Sequence, residues 1–81
     1  MKTKYRGKNN MCGKNIALLR KALKPKVSQR AFADKLQLLG MDVDKNAVSR
    51  IESGDRTISD IELAIMASFF NISTELLTGR L

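Results

Sequence analysis

Apolar residues recur along this chain at helical spacing. Ile16, Leu19 and Leu23 fall three and four apart with Ala17 and Ala22 beside them, which predicts a first helix from about Lys14 to Leu23. Lys24-Pro25-Lys26 ends it, because proline removes an amide donor and disfavours helix at the preceding residue. Ser28 caps a second helix from Gln29 to about Leu39, with Ala31, Phe32, Leu36 and Leu39 on the buried side and Gly40 as its stop. Asp44 caps a third, in which Ala47, Val48 and Ile51 share one face and Gly54 closes the end. Val43 ahead of this cap has the position of a hydrophobic staple. Ser59-Asp60-Ile61-Glu62 is a capping box opening a fourth helix, which reaches Phe70 and has Ile61, Leu63, Ala64, Met66, Ala67 and Phe70 toward the core. Ser73 caps a short fifth helix with Leu76 and Leu77, ended by Gly79. No alternating strand pattern occurs, so the expected fold is all-α with five helices.

The polar side of the third helix is the most informative surface. Lys45, Asn46, Ser49 and Arg50 lie opposite its apolar face. Amide, hydroxyl, ammonium and guanidinium groups are the chemistry that hydrogen-bonds base edges and phosphates. The bland reading is a solvated face of an ordinary amphipathic helix. Charge favours the first reading. The net charge is +7, and residues 1–26 hold nine Lys and Arg with no acid, whereas residues 51–81 are net acidic. A molecule so polarised suits one side turned to a polyanion.

The 81 residues suffice for one small core. Residues 1–13 are basic and turn-rich without apolar periodicity, and are expected to form a flexible arm, with the folded pattern starting just after Met11 and the domain spanning 14–79. No apolar run is long enough to cross a bilayer and no signal-peptide pattern follows the basic start, so a cytoplasmic location is expected and no membrane partner. The single Cys12 cannot form an intrachain disulfide and is expected to be an incidental surface thiol. With no histidine, zinc sites of the usual Cys/His kind and imidazole-dependent catalysis are excluded. Neither a nucleophile–base pair nor a phosphate loop is present. The chain is not expected to be an enzyme or to hold a cofactor.

The order Ser28-Gln29, Phe32-Ala33, Leu36, then Val48-Ser49-Arg50-Ile51-Glu52-Ser53-Gly54, then Ile61-Glu62-Leu63 and Phe70-Asn71-Ile72-Ser73, resembles the lambda repressor-like helix-turn-helix family of phage repressors and Cro proteins. The likeness covers about Gly13 to Gly79. It implies that Lys45, Asn46, Ser49 and Arg50 enter the major groove of double-stranded DNA. It also implies that Gln29 bonds a phosphate and braces the recognition helix, that the Gly54 loop with Arg56 touches phosphates farther along, and that Arg20 and Glu52 form a structural ion pair. Lys35 and the arm residues Lys2, Lys4 and Arg6 are further expected phosphate contacts. The sequence departs from the family in its long connection between Leu36 and Asp44.

The resulting expectation is a sequence-specific DNA-binding transcriptional regulator, with repression as its sense. A protein-interaction module such as an antitoxin or anti-repressor is the alternative. One small domain has a small footprint, so a homodimer is expected. Ile58, Ile65 and Phe69 are the candidate dimer surface, and the competing reading is that the monomer itself covers them.

Overall fold

A computed structural model describes residues 4–79. It contains α1 (Gly13–Ala22), α2 (Gln29–Leu38), α3 (Lys45–Ser53), α4 (Asp60–Phe70) and α5 (Thr74–Thr78), and no strand among the described residues. The caps form as their residue types require. Ser28, Asp44, Ser59 and Ser73 each accept a hydrogen bond from a backbone amide three residues on. Ser59 and Glu62 complete the reciprocal capping box. Gly54 and Gly79 end α3 and α5 in the left-handed region, and Asn71 does the same for α4.

The core is aliphatic with one aromatic cluster. Ile16, Phe32, Leu36, Met41, Val48, Ile51, Met66 and Leu77 are fully enclosed. The Phe32 ring meets Phe69 edge-on at 5.3 Å and Phe70 at 5.6 Å, which joins α2 to α4. Burying side chains such as Val48 and Ile51 contributes about 1.5–3 kcal/mol each, so α3 is held mainly by its inner face.

Several expectations need correction. On α2, Ala33 is buried in place of Ala31, which is half-buried, and Leu39 stands largely in solvent. Leu38 is 88% exposed. The helix ends at Leu38 because Gly40 adopts φ 93° and the chain folds back, so that the Met41 amide reaches the Leu36 carbonyl at 3.0 Å. That end agrees with the expected stop at Gly40, and the long connection then packs inward: Met41 and Val43 are both buried, and Gln37 Nε2 donates to the Val43 carbonyl at 2.6 Å. On α4, Ile61 is 70% exposed and Ala64, three residues on and so on the same side of the helix, is exposed. The candidate dimer residues Ile58, Ile65 and Phe69 are half-buried against the monomer's own core, Phe69 in edge contact with the rings of both Phe32 and Phe70. Cys12 is not a surface thiol. It is 2% exposed, and burial pushes its pKa up to about 11.

The segment before α1 is no loose arm over its described part. Tyr5 and Lys8 exchange two backbone hydrogen bonds of 2.8 Å across Arg6-Gly7. Asn9 donates through its backbone N–H to Gly54 O at 2.8 Å and through Nδ2 to Asp55 O at 2.7 Å. Asn10 Nδ2 reaches the carbonyls of Ile51 and Arg56, while its Oδ1 accepts from the amides of Cys12 and Gly13 at the start of α1. The fold thus begins ahead of Met11. Lys2 lies outside the described residues.

Candidate nucleic-acid interface

The inner and outer faces of α3 are cleanly separated. Val48 and Ile51 are buried and Ala47 half-buried, whereas Lys45, Asn46, Ser49 and Arg50 are all exposed. Ser49 and Arg50 lie three and four residues after Asn46, and Ser53 lies four and three after them, so the four form one outward stripe. None of Lys45, Asn46, Ser49 and Arg50 is tied by a side-chain hydrogen bond to another described residue, and Ser53 Oγ is bonded only locally, to Arg50 O and Asp55. Asp44 is committed to capping, through Oδ1 to the Ala47 amide at 2.8 Å.

What aims this stripe is a cluster at the other end of the helix. Glu52 receives Arg20 through two bonds, Nε to Oε2 at 2.7 Å and Nη2 to Oε1 at 3.0 Å. Arg20 Nη1 also donates to the Val27 carbonyl at 2.9 Å, and Gln29 Nε2 donates to Glu52 Oε1 at 3.0 Å. The Glu52 carboxylate therefore links α3 to α1 and α2, and Arg20 adds the loop before α2. The hydrogen bond to Glu52 holds the Arg20 pKa above its ordinary value. Gln29 spends one Nε2 proton on this bracing and keeps the other.

At its N-terminal end α3 faces α2 across a shallow groove lined by Arg30, Asp34 and Gln37 on one side and Asp44, Lys45 and Asn46 on the other. The start of α2 thus meets the end of α3, and the middle of α2 meets its start. Lys35 is exposed on α2. Lys4 and Arg6 are exposed on the N-terminal turn, where the Arg6 guanidinium lies over the Tyr5 ring at 5.3 Å from its centre.

Arg56, expected to touch phosphate, also has a side-chain partner on α4. Its guanidinium closes on Glu62, Nη1 to Oε1 at 3.1 Å and Nη2 to Oε2 at 2.9 Å, and Nη1 donates also to the Thr57 carbonyl. These bonds brace the α3–α4 loop against α4. Two contributors were missed in the sequence. Gly13 lies so close to α3 that an added Cβ would collide with the Ile51 carbonyl and stand 2.9 Å from that of Glu52. Asn9 and Asn10 read as turn formers, and the only signal of their docking role was their amide chemistry.

A family model described as helix-turn-helix matches residues 16–77. The chain belongs to this lambda repressor-like helix-turn-helix family and is a DNA-binding regulator of that class. No curated protein and no solved structure matched it. Among the described residues, no helix is long and apolar enough to cross a membrane.

Proposed function

We propose that the chain is a sequence-specific regulator that represses transcription by reading the major groove of double-stranded DNA with α3. In this reading Asn46 pairs with adenine and Arg50 or Lys45 with guanine, each good contact being worth roughly 1–3 kcal/mol of discrimination. Ser49 supplies a further base contact, and Gln29 and Lys35 bond phosphates on either side. The observation that carries this reading is the uncommitted outward stripe of α3, backed by the buried Val48 and Ile51 and braced through Glu52. Protein such as this is expected in the cytoplasm.

Homodimerisation belongs to the same proposal, with a different surface from the one the sequence suggested. Ile58, Ile65 and Phe69 serve the monomer. Leu18, 58% exposed on α1, and Leu76 on α5 flank an apolar groove with Leu19 and Ile72. An exposed apolar patch of this kind suits a second copy. Sedimentation tests it: a concentration-dependent dimer that Leu18→Glu converts to a monomer is expected.

The DNA reading is tested by fluorescence anisotropy with calf thymus DNA fragments across a salt series. Steep weakening with salt indicates phosphate engagement. Salt-independent or absent binding would favour the protein-interaction alternative.

A further inference from the structure

The segment that carries Lys4 and Arg6, expected from the sequence as loose-arm phosphate contacts, is fixed against the end of the recognition helix. We infer that residues 4–8 are a preformed cationic turn that grips the DNA backbone beside the C-terminal end of α3, with Asn9 and Asn10 as its positioning residues. This deepens the DNA-binding proposal and rests on it.

Three observations carry the inference. First, the turn is anchored at its base. Asn9 and Asn10 together place four hydrogen bonds on the carbonyls of Ile51, Gly54, Asp55 and Arg56, the last turn of α3 and the loop after it. The Lys8 methylenes lie against Gly54, where a Cβ would stand 3.0 Å from Lys8 Cδ. The turn therefore sits at the C-terminal end of the helix that carries Asn46, Ser49, Arg50 and Ser53.

Second, the turn carries Lys4, Arg6 and Lys8, all exposed, and none of them is in an ion pair among the described residues, where the pairs are Arg20–Glu52 and Arg56–Glu62. The nearby carboxylate of Asp55 is turned to Ser53 Oγ at 3.0 Å. Three unneutralised cations at one edge of a base-reading surface match a phosphate row.

Third, the geometry is maintained against a local cost. Arg6 is held at φ 51°, left-handed and unfavourable for a side chain, next to Gly7 at φ 79°. Two successive residues of this kind make the tight hairpin turn that closes Tyr5 on Lys8. Asn9 Oδ1 is buried with no hydrogen-bond partner among the described residues. Such costs persist where the surrounding structure fixes them and a function uses the shape. A loose polycationic tail needs neither.

The test uses the full chain and a duplex carrying a site that the parent protein itself selects from random-sequence DNA. Two variants are compared with the parent: the triple substitution Lys4→Gln, Arg6→Gln, Lys8→Gln, which leaves both asparagines in place, and Asn9→Ala, which changes no charge. Circular dichroism and melting confirm that each is folded. The triple variant is expected to lower the slope of log affinity against log salt by about two to three, near 0.9 per lost phosphate contact. Asn9→Ala is expected to weaken binding severalfold. In hydroxyl-radical footprinting both variants lose a patch of backbone protection at the edge of the site and keep the central protection. An unchanged slope and footprint in the triple variant overturn the inference while leaving the base-reading proposal intact. So does parental affinity in folded Asn9→Ala, which would mean that the turn acts as loose charge. A parent that selects no site overturns both.

Discussion

Arg20 on α1 and Glu52 on α3 share two hydrogen bonds, and both side chains are nearly enclosed, with 10% and 7% exposure. Such a pair is not strong evidence of net stabilisation, since desolvation offsets much of the attraction. Its value lies in geometry, because the same carboxylate also takes Gln29 and so fixes the angle of α3 to α1 and α2. Breaking it strands a buried guanidinium. Glu52→Ala should therefore cost about 3–5 kcal/mol, read by chemical denaturation. Gln29→Ala removes one bond and should cost about 1 kcal/mol. Equal small losses in both would show that the cluster does not anchor α3.

Asn46→Ala should separate recognition from stability. Asn46 is exposed and bonded to no other described residue, so melting should shift little. Discrimination at one base position should fall by about 1–3 kcal/mol. A stability loss as large as that of a core substitution would place the side chain in the fold instead.

Gly13 should invert a familiar rule. Alanine inside a helix normally gains about 1 kcal/mol over glycine. Here the added Cβ meets the carbonyls of Ile51 and Glu52, so Gly13→Ala should destabilise and push α1 away from α3. Denaturation midpoints of the pair check the sign.

The Arg56–Glu62 contact sets a pH dependence. Hydrogen bonding to Arg56, ahead of the other influences, lowers the Glu62 pKa below the ordinary carboxylate value of 4.5. The folded state thus binds that proton less readily than the unfolded chain does. The contribution is full above about pH 5.5 and is lost as pH falls below 4.5 through the depressed folded value. Glu62→Gln should be less stable than the parent at neutral pH, and the difference should shrink in acid. A gap that stayed constant down to pH 3 would contradict the pairing.

Cys12 should be silent. Its burial and raised pKa of about 11 leave almost no thiolate at pH 8. A disulfide reagent should label it only at the rate of unfolding, and fast labelling of the native protein would show that the segment opens.

Much of this was legible because capping is local chemistry. Ser28, Asp44, Ser59 and Ser73 announce their helices with side chains that act three residues away, and each does so in the structure. The inner and outer faces of α3 were readable for the same reason: one turn of helix fixes both. What periodicity did not reveal are the choices made between elements. Ile61 has the spacing of a core residue, but its side of α4 faces solvent. Phe69 looked available for a partner until Phe32 occupied its edge. The docking of Asn9 and Asn10 depends on free carbonyls more than forty positions away in sequence, which no local pattern encodes. Arg56 was expected to face phosphate, and its pairing with Glu62 is a short-range contact whose alternative, solvent, looked the same in sequence.

Selection of binding sites from random-sequence duplexes, run in parallel on the parent, Asn46→Ala and Arg50→Ala, addresses the base-reading claim most directly. The expected result is a defined motif for the parent, from which Asn46→Ala loses preference at one adenine and Arg50→Ala at one guanine, all else retained. A parent that enriches no motif, or variants that enrich the parental motif unchanged, would contradict base reading by the outer face of α3.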